Sequence, residues 1–153
     1  MRQGNHLPKY RRSSWFILHI GNPFIRFYAG TLGLGGSRGF RILIVKGRKS
    51  SKLYSVPIRL LELNGKRYLV ALQGETFWVK NIRAQGGGQL RFGGKTTDFK
   101  IEELSDKDKL PILRAYLKRW WSVSKSLTPI SSPEAPDEEF VRAEPVHPVF
   151  LLK

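Results

Sequence analysis

The stretch RILIVKGRKSSKLYSVPIRLLELNGKRYLVAL, residues 41–72, decides the fold of this chain. Three runs within it are rich in Ile, Val, Leu and Tyr, and each predicts a β-strand: Arg41–Lys46, Tyr54–Leu63 and Arg67–Leu72. Asn64-Gly65 separates the last two runs, and both residues tolerate the positive φ angles of a type I′ turn. The stretch therefore predicts consecutive antiparallel strands.

The second half of the chain repeats this pattern. Gln89–Phe92 and Thr96–Leu104 flank Gly93-Gly94 and predict another hairpin, and Pro148–Leu152 predicts a short closing strand. Six short strands joined by hairpin turns favour an antiparallel sheet that closes into a barrel. We therefore expect a mainly β, α+β fold with about six antiparallel strands and peripheral helices.

Four segments outside the strands have helical or loop character. Leucine and tryptophan residues at helical spacing predict a helix over Lys109–Trp121, with Pro111 in its first turn. Leu127–Pro136 carries three prolines and predicts a loop, and a short helix is expected to begin at Asp137. Near the beginning of the chain, Asn22-Pro23 is typical of a helix start.

At 153 residues the chain is long enough to bury the core of one domain. We expect a single domain over 1–153, with an aromatic and basic helical segment at 1–40, core strands at 41–104, a helix at 105–121, and a loop and closing strand at 122–153. The aromatic residues of the first segment, which include Trp15-Phe16, have two interpretations. They pack on the core, or they contact a membrane surface or a partner subunit.

The charge of the chain is large and unevenly distributed. The formal net charge is +15, twelve Lys and Arg residues fall within Met1–Leu61, and the first acidic residue is Glu62. Such a field attracts nucleic acid, anionic lipid, or a small ligand with several anionic groups. Cysteine is absent, which excludes disulfides and thiolate chemistry. Because no signal peptide and no membrane-spanning run is evident, we expect a cytoplasmic protein, with membrane association through the first segment left open.

The turn Gly47–Lys52 contains three long cations and two hydroxyl groups between two predicted strands. Arginine offers a planar fork of donors and lysine a compact charge, so the turn suits an anionic group such as a phosphate. The alternative is a solvated basic turn without a ligand. Conventional catalytic patterns are missing: the three histidines are scattered, no metal site is expected, and no two carboxylates are placed for acid–base work. An enzyme with this sequence would therefore depend on a cofactor.

A second candidate segment follows the strand that ends near Leu72. Gly74-Glu75-Thr76 leads into Phe77-Trp78, and then into Asn81 and Arg83. These residues can supply an aromatic surface for stacking and polar groups for hydrogen bonds with a flat ring. The alternative is that Phe77 and Trp78 are part of the barrel core.

Taken in order, several motifs resemble the deazaflavin-dependent nitroreductase family. They are Gly47-Arg48-Lys49-Ser50 followed by Pro57, Gly74-Glu75-Thr76, Trp78-Val79 and Asn81-Ile82-Arg83-Ala84, together with Ser14-Trp15-Phe16, Asn22-Pro23, Gly86-Gly87-Gly88 and His147-Pro148-Val149-Phe150. The resemblance covers nearly the whole chain. Members of the family have a split β-barrel, similar to that of FMN-binding proteins, and use coenzyme F420 as a hydride donor.

The resemblance implies roles for particular residues. Arg48, Lys49 and Ser50 would hold the phosphate of the cofactor, and Val70, Ala71, Leu72 and Gln73 would give main-chain contacts to its ring. The residues that would run along the linker and ring are Tyr54, Ser55, Val56, Pro57 and Ile58, and Trp78 and Asn81 match positions near the same site. No catalytic residue is certain, but Tyr116 is a candidate proton donor, and Tyr116, Trp120 and Trp121 are candidates for the wall of the substrate pocket.

The resemblance also implies a function. It predicts an oxidoreductase that transfers a hydride from reduced F420 to a quinone, an activated alkene or a nitroaromatic compound. The basic charge would then hold the phosphodiester and glutamate tail of the coenzyme, and nucleic acid is not expected as a partner. Two alternatives remain open: the same barrel with FMN, and a barrel that binds or carries a cofactor, or a tetrapyrrole, without catalysis. A homodimer is expected by analogy with related barrels, although some members of the family are monomers.

Overall fold

The computed structural model describes residues 39–153. Within this range it has six strands, three α-helices and three short 3₁₀ helices. The strands are β1 Phe40–Lys46, β2 Leu53–Leu63, β3 Lys66–Val70, β4 Gly87–Phe92, β5 Lys95–Glu103 and β6 Val149–Leu152. The α-helices are α1 Phe77–Gln85, α2 Leu110–Ser124 and α3 Asp137–Ala143, and the 3₁₀ helices are Asp106–Asp108, Lys125–Leu127 and Glu144–Val146. The helix start expected at Asn22-Pro23 and the aromatic segment near Trp15-Phe16 lie outside the described residues.

The six strands form a closed barrel in the order β1-β2-β3-β6-β5-β4, and β1 pairs with β4 to complete it. All neighbouring strands are antiparallel. Both predicted hairpins have two-residue turns with positive φ: Asn64 at 52° and Gly65 at 78°, then Gly93 at 58° and Gly94 at 84°. The predicted mainly β barrel with peripheral helices is thus confirmed.

Two predicted strand ends differ from the structure by two residues: β4 begins at Gly87 and not at Gln89, and β3 ends earlier than expected. The third strand ends at Val70 and not at Leu72, because the chain turns directly after its last pair, Val70 with Val149. Gly74 N–H donates to the carbonyl oxygen of Ala71 at 3.1 Å, and Gly74 has a φ of 80°. This turn redirects the chain into α1.

Helix α1 was not predicted from the sequence. Its N-cap is Thr76, whose side chain makes no capping hydrogen bond, and it begins with aromatic and β-branched residues of ordinary helix propensity. Its stability comes from tertiary packing, because Trp78, Val79 and Ile82 join the buried cluster inside the barrel. That cluster also contains Leu43 and Phe150.

A second buried cluster lies between the barrel and the other two helices. Leu61 and Val70 contribute to it from the strands, Leu113 and Leu117 from α2, and Phe140 from α3. The strands β2 and β3 therefore bury side chains on both faces, which explains their nearly continuous apolar sequence. As predicted, Pro111 lies in the first turn of α2 and a short helix begins at Asp137.

Two features of α2 differ from a regular helix. Trp120 has non-helical backbone angles, φ −129° and ψ 38°, and the helix continues beyond it to Ser124. At the other end, the buried Lys109 anchors the helix, because its Nζ lies 2.8 Å from both the Glu144 carbonyl oxygen and an Asp106 carboxylate oxygen. Among the helices within residues 39–153, none has the length and apolar character needed to cross a membrane.

Candidate functional site

The basic turn Gly47–Lys52 connects β1 to β2 and is closed by its own backbone. Gly47 N–H donates to the Lys52 carbonyl at 2.8 Å, and Lys52 N–H donates to Ser50 Oγ at 3.2 Å. Arg48 and Lys49 are exposed, and neither forms a salt bridge with any residue of the described part of the chain. Hydrogen bonds therefore hold the backbone of the turn, while the charges of Arg48 and Lys49 remain available to bind an anion.

Helix α1 holds this turn in place. The buried Asn81 accepts two hydrogen bonds at Oδ1, from the Arg48 backbone N–H at 3.1 Å and from Arg48 Nη1 at 3.0 Å. Gln85 Nε2 lies 3.4 Å from the Gly47 carbonyl oxygen, and the Arg48 guanidinium lies 5.6 Å from the centre of the Phe77 ring. Asn81 was predicted as a polar group near the ring of a ligand, but the structure uses its side-chain oxygen to orient Arg48.

A cavity of about 440 Å³ opens beside the turn, and we call it the basic pocket. Its lining is Gly47, Arg48, Lys49, Ser50, Tyr54, Glu75, Phe77, Lys80 and Asn81. Three cations and one carboxylate face it, and Glu75 is already bonded to Arg83 at 2.7 and 3.1 Å. The balance of charge in the pocket favours an anionic ligand.

Arg83 does not take the ligand-binding role that its position in the sequence suggested. Its guanidinium donates to Glu75 and, at 2.8 Å through both Nε and Nη2, to Glu103 on β5. These hydrogen bonds raise the pKa of Arg83, and the Arg83 hydrogen bond lowers the pKa of Glu75. Arg83 therefore ties α1 to the barrel, and it lines neither of the two pockets of the site.

A second cavity, of about 170 Å³, lies farther along β2, and we call it the apolar pocket. Its lining is Pro57, Ile58, Arg59, Val70, Ala71, Leu72, Gln73, Thr76, Trp78, Tyr116 and Leu127. Trp78 has a second role in the barrel core, where it packs edge-on against Phe150 at a centroid distance of 6.2 Å. Trp78 thus lines a pocket and also belongs to the barrel core, which are the two roles that the sequence suggested for it.

Strand β2 connects the two pockets. Tyr54 lines the basic pocket and Pro57 lines the apolar pocket, and residues three apart in a strand are separated by about 10 Å. Ser55 and Val56 lie between them and line neither pocket, and the Val56 side chain is buried in the barrel core. A contact from Val56 to a ligand that spans both pockets would therefore come from its backbone.

The structure corrects one of the main-chain contacts to a ligand ring that were expected from residues 70–73. The Ala71 N–H donates to the Pro148 carbonyl at 2.9 Å, so it is already bonded within the protein. Val70 is paired with Val149 in the barrel, which leaves Leu72 and Gln73 as the residues beyond the last strand pair. All four residues nevertheless line the apolar pocket.

Tyr116 reaches the apolar pocket from α2. It is 8% exposed and packs edge-to-face on Trp120, with ring centroids 4.8 Å apart. Burial raises the pKa of Tyr116, and the positive charge of Arg59 opposes this shift in part. The phenol is therefore protonated at neutral pH and can act as a proton donor. Trp121, the other substrate-pocket candidate, and Trp120 do not line this pocket.

Sequence reasoning did not assign Arg59 to the site, and it named Thr76 only as part of the motif Gly74-Glu75-Thr76. Arg59 was recognisable as the one cation in the apolar run that forms β2. Nothing in the sequence located Thr76 at this pocket, because its position depends on the unpredicted helix α1.

Comparison with known proteins supports the fold. No protein-family model matches the chain, and no curated protein does. A solved structure described as an F420-H2 dependent reductase (FDR-A) is similar, with a TM-score of 0.52 and 21% identity over 76% of this chain and 95% of that one. A second, described as a domain-swapped dimer, has a TM-score of 0.52 and 18% identity over 85% of this chain and 97% of that one.

A third solved structure, of a FAD-binding protein from Mesorhizobium loti, has 16% identity over 80% of this chain and 82% of that one. Its TM-score of 0.47 adds no support. The two stronger similarities show that the chain has the split β-barrel fold of the F420-H2 dependent reductase, as the resemblance in the sequence implied.

Proposed function

We propose that this protein is an oxidoreductase that binds a deazaflavin cofactor, coenzyme F420, and transfers a hydride from its reduced form to an electrophilic acceptor. The observation that carries the proposal is the arrangement of the two pockets on β2. A cationic turn with open charges stands about 10 Å along one strand from a pocket lined by apolar and aromatic side chains. This arrangement suits a ligand with a phosphate joined by a linker to a flat ring.

The residues present fit such a ligand. Arg48 is oriented by Asn81, and Lys49, Ser50 and Lys80 surround the same pocket, so a phosphodiester would meet a fork of guanidinium donors and two further cations. Pro57, Leu72 and Trp78 would hold the ring, and Tyr54 would lie beside the linker. The glutamate tail of the coenzyme accounts for the excess of positive charge, because a multiply anionic ligand gains from a cationic field.

Bound in this way, reduced F420 would supply the hydride. The protein would position the ring against the acceptor, exclude water from the apolar pocket, and provide a protonated phenol at Tyr116. The acceptor class that we propose is a quinone, an activated alkene or a nitroaromatic compound. The similarity of fold to the F420-H2 dependent reductase supports a flavin or deazaflavin cofactor.

The test is a titration with F420 and with FMN, followed by fluorescence. We expect F420 to bind more tightly than FMN, and the double variant Arg48→Ala/Lys49→Ala to weaken F420 binding by about 100-fold or more, because two charge-assisted contacts are lost. The matched control is Lys66→Ala/Lys95→Ala, which removes the same charge from two exposed hairpin positions outside both pockets.

The outcomes separate the alternatives. Equal affinity of wild type and the Arg48/Lys49 variant for F420 would show that the basic pocket is not the phosphate site. Tighter binding of FMN would support the same barrel with a flavin. Tight F420 binding without turnover on a panel of quinones, enones and nitroaromatics would support a carrier.

A further inference from the structure

Two residues that line the apolar pocket each carry a buried polar atom with no hydrogen-bond partner within the described part of the protein. These atoms are Nε of Arg59 and Oγ1 of Thr76. Both residues line the same cavity, on opposite sides of the chain reversal that follows β3. Because buried polar groups in proteins are nearly always paired, two such atoms at one cavity indicate a place where a ligand supplies the partner.

The Thr76 hydroxyl lacks a hydrogen-bond partner at a position where a threonine usually forms one. Thr76 is the N-cap of α1, where a threonine oxygen normally accepts a hydrogen bond from a backbone N–H in the first turn. Here no side-chain capping bond is formed, and the residue is 2% exposed. The hydroxyl therefore contributes nothing to the helix start.

Arg59 brings an uncompensated charge to the pocket. Among the described residues it is the only charged one in the lining of the apolar pocket, and it forms no salt bridge with any residue between 39 and 153. Its guanidinium carbon lies 5.9 Å from the centre of the Trp120 ring, so the aromatic pair Trp120 and Tyr116 borders it. An oxygen with negative charge in this pocket would meet a cation that no carboxylate neutralises.

The size of the cavity limits what can enter it. A protein cavity of about 150 Å³ holds one benzene molecule, so this open pocket of about 170 Å³ has room for a single six-membered ring with its substituents. Trp78 and Leu72 provide apolar surface for the faces of such a ring.

We propose that Arg59 and Thr76 form an oxygen-binding subsite, which holds a carbonyl or phenolate oxygen of one planar six-membered ring in the apolar pocket. With the function proposed above, the ring has two sources: the pyrimidine edge of the deazaflavin, or the acceptor itself. In both cases the subsite favours an oxygen that carries negative charge. The binding site, however, depends only on the contacts of this pocket and not on the identity of the cofactor.

The probe is 4-nitrophenol, because its anion is yellow and its protonation state can be read directly from the absorption spectrum. We expect the wild type to bind the anion in preference to the neutral form, so that bound 4-nitrophenol ionises at a lower pH than the free compound. Arg59→Met should raise the dissociation constant of the anion at least tenfold and abolish this shift. Thr76→Val should raise it several-fold, and Thr76→Ser should restore the wild-type value.

The matched control is Arg142→Met, which removes an exposed arginine that lines neither pocket. Thermal melting checks the fold of each variant. Thr76→Val should melt at or above the wild-type temperature, because it removes a buried, unpartnered hydroxyl that does not cap the helix.

A second arm identifies the source of the oxygen. If the ring belongs to the cofactor, F420 displaces 4-nitrophenol, and Arg59→Met weakens F420 binding. If it belongs to the acceptor, 4-nitrophenol binds to the F420 complex and the affinity for F420 is unchanged in the variant. Either result supports the subsite.

The proposal is overturned if Arg59→Met and Thr76→Val bind both 4-nitrophenol and F420 as the wild type does, or if the wild type binds neither. The two proposals fail separately. Binding of 4-nitrophenol that depends on Arg59, without any binding of F420, would refute the deazaflavin function alone. Binding of F420 that depends on Arg48 and Lys49, with no effect of Arg59 or Thr76 on either ligand, would refute the subsite alone.

Discussion

Asn81 accepts two hydrogen bonds from Arg48, although 33 residues separate them in the chain. One comes from the backbone N–H and one from Nη1, at 3.1 and 3.0 Å. A single buried amide oxygen thus fixes both the main chain of the basic turn and the direction of its guanidinium group. The cationic site is preorganised by a helix that packs into the barrel core.

This relationship predicts that two substitutions at Asn81 differ in their effect on stability, although both weaken binding. Asn81→Ala leaves the Arg48 N–H without its partner, and we expect it to lower the free energy of unfolding by about 1–2 kcal/mol and to weaken F420 binding about tenfold. Asn81→Asp keeps both acceptor contacts and adds a negative charge beside Arg48. It should therefore restore stability but still weaken binding, because Arg48 is neutralised.

Urea unfolding and F420 titration of the two Asn81 variants provide the measurement. If Asn81→Asp bound F420 as tightly as the wild type, the charge of Arg48 would not be used for the ligand.

Arg83 is predicted to act in stability and not in binding. Its side chain is 37% exposed and pairs with Glu75 and Glu103, so Arg83→Met should reduce the free energy of unfolding by only about 0.5–1 kcal/mol. The dissociation constant for F420 should rise by only a few-fold, since Arg83 lines neither pocket and affects the basic pocket only by neutralising Glu75. Chemical denaturation and ligand titration of the same samples check both parts. A tenfold loss of F420 affinity with an unchanged unfolding midpoint would contradict this role.

His147 predicts a loss of stability in mild acid. It is 2% exposed, its Nε2 lies 2.9 Å from Thr128 Oγ1, and burial lowers its pKa to about 4. Since the unfolded chain binds a proton near pH 6.5, where the folded protein does not, stability is complete above about pH 6.5 and falls as the pH decreases toward 4. The difference amounts to about 3 kcal/mol.

The check on His147 is urea unfolding at several pH values between 4 and 7. In His147→Gln, the amide can still form a hydrogen bond with Thr128. Across this pH range the free energy of unfolding of this variant should change by about 3 kcal/mol less than that of the wild type. Glu144, whose pKa is raised by burial, is present in both proteins and cancels in the comparison. An identical slope in wild type and variant would show that His147 is not responsible.

Tyr116→Phe should separate proton donation from binding. Because burial raises the pKa of Tyr116, the phenol stays protonated through neutral pH, and its removal should lower kcat by about 100-fold with an acceptor that requires a proton. Affinity for F420 should be unchanged. Tyr68→Phe is the control, since Tyr68 is equally buried in the same cluster and lines neither pocket. Equal rates for wild type and Tyr116→Phe would assign the proton to solvent.

Much of the fold was predictable because it follows from local chemistry. Positive φ at Asn64-Gly65 and Gly93-Gly94 determines both hairpins, and the apolar runs locate all six strands to within about two residues. Helix α1 was not predictable, because its N-cap makes no side-chain bond and its stability depends on the burial of Trp78 and Val79 in a core that forms only when the barrel closes.

The candidate site likewise combines features that depend on neighbouring residues with features that depend on tertiary contacts. The amino-acid sequence by itself determined the strands, the hairpins and the cationic turn, because these depend on neighbouring residues. Only the tertiary structure decided that Asn81 orients Arg48, that Arg83 is held by Glu75 and Glu103, and that Arg59 and Thr76 face one small pocket. Each of these contacts joins distant residues, and closure of the barrel with α1 packed into it brings them together.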